Sequence, residues 1–441
     1  MVNLQEFILF CKILQIHERG VAFKMVMAKN TAKALCLAAI ASLGLLGCKQ
    51  NSASDLVERS SAAIDLTLCT GKTSSGFFTI QSLHEGYSNI CYTDYAARQQ
   101  LVLCDVPNCM HDSDSCKSYI PLEDGDFPPL ILSTPEKILL VYSAPSSHDM
   151  AHIDMMDLNG NHKETLLRLE NGESILGGIY TDGDSIYYEK WFVESAENGP
   201  IDRSAVYKTA IKTKESSLVY SLPIGYTVCG TSGANYVLSH YGDGNTESFY
   251  LLSPPGNSGE WALADSPFYE CDLGESGAMI LSGKIVEYFP KSYLLKVSDI
   301  ASGKAIEMDC SEEVPPYDPD WIPDISPIYT GCTNTHYLKL TDSVEAGSGG
   351  RTIYQKVIDT SDCVFSENII LKDRSGREML PVSEYQDYFC VITGYENLEN
   401  ASTETNGDFL ISSFDVPQYA LILKSDYFAQ IENLIPIENS F

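Results

Sequence analysis

Positive charge is scarce in this sequence. Its 441 residues include 29 Lys and Arg against 60 Asp and Glu, and the formal net charge is −31 at pH 7. Such a surface repels a phosphate backbone, which excludes nucleic acid as a partner. The same surface is typical of a solvated exterior and can attract divalent cations.

Several catalytic patterns are missing as well. The sequence has no Gly-x-Ser-x-Gly elbow, no His-Glu-x-x-His helix and no Walker loop, and its eight His residues are scattered. These absences argue against the common serine hydrolases, zinc peptidases and phosphate-loop enzymes. A pair of catalytic carboxylates leaves no local motif, so an enzyme that acts on carbohydrate stays open.

Long apolar runs are limited to the amino-terminal segment. Ala34 to Leu46 is an apolar run of 13 residues, preceded by Lys29 and Lys33. It is too short to cross a bilayer core of about 30 Å and is typical of an export signal. An ordinary secretory signal or a buried helix is the alternative.

The end of this run carries a resemblance. Leu45-Leu46-Gly47-Cys48 resembles the lipobox of bacterial lipoproteins. The resemblance implies cleavage before Cys48 and a diacylglyceryl group on its sulfur, with acyl chains such as palmitate. Two such chains hold a protein at a membrane without a spanning helix.

Three segments are predicted along the chain. Residues 1–47 are an upstream extension and a lipoprotein signal peptide, with translation starting at Met25 or Met27. Residues 48–70 are the lipidated Cys and a flexible spacer rich in Ser and Ala. Residues 71–441 form the folded domain. We therefore expect a protein anchored to the cell membrane on its extracytoplasmic face.

A hairpin unit recurs through the folded domain. A turn leads into a first run of Tyr, Ile and Val residues, and a second such run follows after a variable loop, as is typical of paired strands. The first apolar residues of the leading runs are 48 to 52 positions apart. They are Ile90, Ile138, Ile186, Tyr236, Ile285, Tyr337 and Tyr388.

This period predicts an all-β fold, a β-propeller. One hairpin cannot bury its apolar face alone, whereas units packed radially cover one another. Seven blades are expected, with six or eight as alternatives and stacked β-sandwiches as the rival architecture. We expect ring closure to pair residues 77–80 with the last unit near Tyr419 to Leu423.

Eleven of the 14 cysteines follow Cys48, an odd number. Several, such as Cys91 and Cys390, lie in strand-like runs, where a free Cys acts as a small apolar residue. Exported proteins of oxidising compartments rarely keep this pattern. We therefore predict free thiols and a reducing or anaerobic exterior rather than a disulfide framework.

The densest group of chemically active side chains is Cys104, Cys109, His111 and Cys116. Three thiols and an imidazole within 13 residues are good ligands for zinc or iron. Their spacing differs from the standard zinc patterns. A disulfide from Cys104 or Cys109 to Cys116 is an equally open alternative, and neither bond nor metal is the third.

The same region carries a second resemblance. The chain reads Ile90-Cys91-Tyr92-Thr93-Asp94-Tyr95, then Leu103-Cys104, Pro107-Asn108-Cys109-Met110-His111 and Cys116. This resembles the opening of propeller-type lipoproteins of clostridial gut bacteria. The resemblance implies an exported, membrane-tethered propeller similar to TolB-type and WD40-like domains, and it brings no assigned activity.

A Pro-rich loop at residues 314–324 is the second candidate site. It contains Tyr317, Asp318, Asp320 and Trp321. Aromatic faces beside carboxylates suit sugars or cations, and loops around a propeller channel often bind ligands. The alternative is a connector packed on the blade by its Trp.

These observations favour a binding module over an enzyme. We expect a monomeric, membrane-anchored extracellular propeller that binds a protein or a glycan. The alternative is an exported carbohydrate-active enzyme that uses carboxylates in its channel.

Overall fold

The computed structural model describes residues 66 to 440, apart from several short segments. The segments outside the described residues are 85, 123–127, 146–148, 197–198, 243–244, 256–259, 282, 313–323, 328–336, 347–349, 360–363, 366–370, 373–378, 380 and 404–408. The described part of the chain is almost entirely strand, with one five-residue helix, α1 (Lys424–Phe428).

Consecutive strands form seven units, which we number 1 to 7, after a short first strand β1 (Thr67–Leu68). Units 1 to 3 are β2–β5 (Gly76–His84, Tyr87–Asp94, Gln99–Val102, Tyr119–Pro121), β6–β9 (Leu130–Ser133, Lys137–Tyr142, His152–Asp157, Glu164–Arg168) and β10–β13 (Ser174–Thr181, Ser185–Ala196, Gly199–Ala210, Ser216–Ser221). Units 4 and 5 are β14–β18 (Tyr226–Ser232, Asn235–Tyr241, Thr246–Ser253, Ala262–Leu263, Tyr269–Asp272) and β19–β22 (Gly277–Leu281, Lys284–Phe289, Leu294–Asp299, Ala305–Asp309). Units 6 and 7 are β23–β26 (Asp324–Pro327, Tyr337–Ala346, Gly350–Asp359, Val364–Phe365) and β27–β30 (Pro381–Tyr385, Tyr388–Thr403, Phe409–Leu423, Ile435–Ser440).

Units 2, 3, 5, 6 and 7 are antiparallel meanders in chain order, whereas in unit 1 β5 pairs with β3 and in unit 4 β18 pairs with β16. The predicted hairpins are confirmed, because all seven anchors lie on the second strand of a unit and their partner runs lie on the third. Turn chemistry explains the repeat at unit 3. Gly183 has a φ of 93°, and Asp182 Oδ1 accepts hydrogen bonds from the backbone N–H groups of Asp184 (3.0 Å) and Ser185 (2.8 Å).

The sheets pack face to face around a ring. First strands of neighbouring units contact one another, as β2 does with β6, β10 with β14, β14 with β19 and β19 with β23. One buried cluster joins units 1 and 2, another joins units 2 and 3, and the largest spans units 3, 4 and 5. A further cluster joins unit 7 to unit 1. This arrangement is a β-propeller.

The last strand closes the ring. β30 pairs antiparallel with β29 through residues 435–437 and parallel with β4 through residues 438–440. The expected pairing of residues 77–80 with the last unit is wrong, since they lie in β2 and pair with β3. Phe77 packs against the last unit without pairing with it, and its ring lies 5.3 Å from that of Tyr419. Units 1 and 7 thus share one sheet, so the number of blades stays a prediction.

The chain enters the ring along its inner strands. β1 pairs with the carboxyl end of β10, and Thr70 forms a bridge with Ser133 of β6. Leu68 is buried against Gly178, where a Cβ would lie 2.7 Å from the Leu68 Cδ1 atom. The folded part therefore includes residues 66–70, which were expected to belong to the spacer.

Three hairpins project beyond their sheets in the described part of the chain. In each, the second and third strands of a unit pair with each other well past the last residue paired to the first or fourth strand. The projecting hairpins are residues 192–196 with 199–203, residues 342–346 with 350–354, and residues 394–403 with 409–418.

Topology places the projecting hairpins on one face. In equivalent meanders, all turns between second and third strands lie on the same side of the ring, and all turns between first and second strands lie on the other. Thr67 pairs with Thr181, the last residue of β10, beside the turn between the first and second strands of unit 3. The chain therefore enters on the face opposite the projecting hairpins.

Among the residues that the structure describes, there is no helix of the length and apolar character needed to cross a membrane.

Candidate functional site

The candidate site is an insertion in the third strand of unit 1. β4 pairs with residues 91–94 of β3 and β5 pairs with residues 87–89, so residues 103–118 loop out between them. Both ends of this loop bind one residue. Ile90 accepts a hydrogen bond from the N–H of Leu103 (2.8 Å) and donates its own N–H to the carbonyl of Ser118 (2.9 Å). We call residues 103–118 the Cys/His loop, a compact loop with closed ends.

The loop brings the four predicted ligands together. The sulfur atoms of Cys104, Cys109 and Cys116 and a ring nitrogen of His111 all lie within 4.8 Å of one another. Cys104 is the second residue of the loop, and Cys116 lies two residues before its end. Between them the loop folds back and brings Cys109 and His111 to the same place. Left-handed backbone at Asn108 (φ 57°) and His111 (φ 59°) makes this reversal.

Neighbouring polar groups hold the ligands in place. The buried amide of Asn89 on β3 donates to the carbonyl of His111 (2.9 Å) and to Ser118 Oγ (3.3 Å). Ser118 Oγ in turn lies 3.1 Å from Cys116 Sγ. At the rim of the loop, Lys117 forms an ion pair of 2.9 Å with Asp105.

The pKa values of the Cys104 and Cys116 thiols are shifted in opposite directions. Burial raises the pKa of Cys116, but hydrogen bonds from Ser118, His111 and Cys104 outweigh it and lower the pKa to about 7. Burial, together with hydrogen bonds to Cys116 and Cys109, raises the pKa of Cys104 to about 11. The hydrogen bond between the two residues contributes to both shifts, because the Cys104 thiol keeps its proton and donates it to the Cys116 sulfur. Cys116 is thus prepared to act as a thiolate.

This group could hold a metal ion. Its three thiols and one imidazole are the ligand types that zinc and iron take from proteins. The nine cysteines within the described residues are all free thiols, so no disulfide joins Cys104 or Cys109 to Cys116.

The second predicted site cannot be placed. Tyr317, Asp318, Asp320 and Trp321 all lie outside the described residues.

Among the residues whose burial is described, three glutamates are buried in the sheets, and sequence reasoning missed them. Glu189, Glu247 and Glu287 are each less than 8% exposed. Glu189 Oε2 accepts hydrogen bonds from Thr227 Oγ1 (3.0 Å) and the N–H of Val228 (2.8 Å), both in the next unit. The available signal was an acidic residue in an otherwise apolar strand, as in Tyr187-Tyr188-Glu189.

The other two glutamates are also held by hydrogen bonds. Glu287 accepts from the Tyr269 hydroxyl of unit 4 and from Ser276 Oγ (2.5 Å). Burial raises the pKa of Glu247 to about 7, although hydrogen bonds from Tyr241 and Ser239 oppose the shift. Such carboxylates link strands and neighbouring units, which is a structural role.

No protein-family model matches the sequence, and no curated protein matches it. Three solved structures illustrate what the chain is similar to. TolB from Acinetobacter baumannii is 12% identical, with 82% of this chain and 79% of that chain covered and a TM-score of 0.31. An oligogalacturonate lyase in complex with manganese is 10% identical, with 79% and 88% covered and a TM-score of 0.38.

The third is a dihydro-heme d1 dehydrogenase, which is 9% identical, with 90% of this chain and 79% of that chain covered and a TM-score of 0.38. At these values the likeness supports no statement about function. The propeller assignment rests on the strand pairing and the interfaces of the chain itself.

Proposed function

We propose that the chain is a lipid-anchored propeller on the extracytoplasmic face of the cell membrane, where it binds a protein or glycan partner. One observation carries this proposal: the chain enters the ring on the face opposite the projecting hairpins. A lipid on Cys48 would then hold the entering face toward the membrane. The hairpins would point outward, toward a partner.

The spacer is long enough for this arrangement. Residues 49–65 separate Cys48 from Leu66, the first described residue. A random-coil chain of about 17 residues would have a root-mean-square length of about 23 Å, which would let the ring stand clear of the lipid headgroups.

The projecting hairpins suit contact with a partner. Within the described residues, neighbouring strands of each sheet do not pair with the edges of these hairpins, so the edges present backbone groups that the sheet does not use. Such edges can add an extended strand from another protein. Near the base of the third hairpin, the exposed side chains of Tyr395, Glu396 and Asn397 add aromatic and polar contacts.

The alternative function, an exported carbohydrate-active enzyme, needs two carboxyl groups that face a shared space. The carboxylates of Glu189 and Glu287 instead bind groups of neighbouring strands. These two glutamates therefore do not provide such a pair, and the enzyme stays the alternative proposal.

Crosslinking would test the proposed surface. We would place a photoreactive amino acid at Tyr395, and at Leu218 on the edge strand β13 as a control, since both positions are similarly exposed. We expect crosslinks on intact cells from position 395 and few from position 218. Equal labelling from both positions would contradict the proposed surface. A glycan array probed with the full chain would test for a glycan partner.

Processing of the signal segment would test the anchor. Cys48→Ala, or treatment with globomycin, should leave an uncleaved precursor that carries no acyl chain. Mass spectrometry of the membrane fraction measures both. Unchanged processing after both treatments would overturn the anchor.

We also propose that Cys104, Cys109, His111 and Cys116 bind one metal ion, zinc or iron. Their common location and their ligand types support this.

A further inference from the structure

We infer that the Cys/His loop is a closed, four-coordinate Zn²⁺ site that fixes the conformation of the loop. The site would be structural, and it would not depend on what the propeller binds. Four features of the loop support it: distances, ligand number, neighbouring groups and the composition of the loop itself.

The distances fit zinc. With Zn–S bonds of about 2.3 Å and Zn–N bonds of about 2.0–2.1 Å, tetrahedral geometry places two sulfurs about 3.8 Å apart and a sulfur and a nitrogen about 3.5 Å apart. The longest separation within the group is within 4.8 Å, and Nδ1 of His111 lies 3.3 Å from Cys116 Sγ. Shifts of about 1 Å would complete the tetrahedron.

The ligand number fits a closed site. Three thiolates and one imidazole fill four positions, and structural zinc sites leave none for water or substrate. The set carries a net charge of about −1 with Zn²⁺ bound.

Neighbouring hydrogen bonds orient the ligands, as in known zinc sites. Asn89 fixes the backbone of His111 from β3, and Ser118 Oγ approaches the Cys116 sulfur. The Asn89 contact comes from a strand residue, so part of the site is already arranged by the sheet.

The loop has little else to hold it. The residues between its two ends are mostly polar and include Asp105, Asn108 and residues 112–115. Its large apolar side chains at the tip, Val106 and Met110, are 53% and 77% exposed. A polar loop of this size cannot offset its ordering entropy by apolar burial, whereas a metal crosslink can.

Metal analysis of the full chain, purified under reducing conditions without added metal, would test the inference. We expect about one zinc per chain. Cys116→Ser and His111→Ala should each lower zinc affinity at least ten-fold in competition with a chromophoric chelator. The matched controls, Cys271→Ala in β18 and His162→Ala on an exposed turn, should retain it.

A measurement on the unmodified chain protects the test against variants that fail to fold. Removal of zinc by a chelator should speed amide hydrogen exchange in residues 105–115 and leave exchange in β3 unchanged. Cobalt in place of zinc should give the visible bands of a tetrahedral thiolate site. Stoichiometric iron, a six-coordinate cobalt spectrum, or loop exchange unchanged by chelation would each overturn the inference.

Discussion

Cysteines of the sheets and cysteines of the Cys/His loop have opposite environments. Cys91 and Cys390 are fully buried in strands, and burial is the main reason that their pKa values are raised, to about 12 for Cys390. Cys104, Cys109 and Cys116 instead lie close to one another and to an imidazole. The strand thiols thus act as apolar side chains, whereas the loop thiols lie where they could act together as ligands.

The difference comes from backbone geometry. In a strand, successive side chains point to opposite faces, so a thiol there meets apolar neighbours from the facing sheet. The Cys/His loop instead leaves β4 and returns in β5 with both ends bonded to Ile90, and this reversal brings the three thiols and the imidazole together. Where a cysteine lies therefore decides its chemistry.

Alkylation should show the largest contrast. After removal of metal from the folded chain, we expect loop thiols to react with iodoacetamide about 100-fold faster than the thiols of Cys91 and Cys390, because Cys104 and Cys109 are only half-buried and the pKa of Cys116 is lowered. Mass spectrometry of the labelled peptides measures the rates. Similar rates for the two classes would remove the distinction.

A buried carboxylate should report on folding rather than on metal. The pKa of Glu247 is raised from 4.5 to about 7, mainly by burial. The folded state therefore holds this proton more tightly than the unfolded state. Its contribution to stability is complete below about pH 4.5 and is lost as the pH rises through about 7.

Glu247→Gln should remove that dependence. Relative to this variant, we expect wild-type stability to fall by about 2–3 kcal/mol between pH 5 and pH 8. Urea unfolding at several pH values measures it, and the exposed Glu275→Gln serves as a control with the same change of charge. A constant difference between wild type and Glu247→Gln across this range would refute the shift.

Cys91→Ser should destabilise the fold by about 1–3 kcal/mol, because it places a hydroxyl among Val102 and Val416. Cys91→Ala leaves a smaller, apolar site and should cost less. Both variants should keep their zinc. Urea unfolding with parallel metal analysis would check this. Loss of zinc from Cys91→Ser would contradict the distinction between strand thiols and loop thiols.

The smallest effect is expected at the rim of the loop. Asp105 pairs with Lys117, but its side chain is 73% exposed. Exposed ion pairs contribute little, so Asp105→Asn should change neither the zinc content nor the melting temperature measurably. A clear loss of zinc would show that this ion pair helps to build the site.

Much of the fold follows from local patterns in the sequence. Turn residues followed by an apolar residue mark the start of a hairpin, as Asp182 and Gly183 do before Ile186. These signals act over a few residues. The ligand set of the Cys/His loop was also visible, because four ligand residues within 13 positions are conspicuous in any sequence.

Long-range features did not follow in the same way. The roles of Asn89 and Ile90 in the loop depend on strand register, which short motifs do not encode. Residues 66–70 follow a segment rich in Ser and Ala and were expected to continue it, but they pair with inner strands of the ring. The closing strand contains Pro436 and pairs parallel with β4, a partner that no local pattern indicates.

Closure by β30 has a consequence for how the chain folds. Glu438 and Gln99 are register partners 339 positions apart, and joining chain ends at that distance costs about 5 kcal/mol of entropy. We therefore expect the ring to close late and slowly, after most blades have formed. Until then β4 and β29 are unprotected strand edges, and a second copy of the chain could insert its own carboxyl-terminal strand there, giving a swapped dimer.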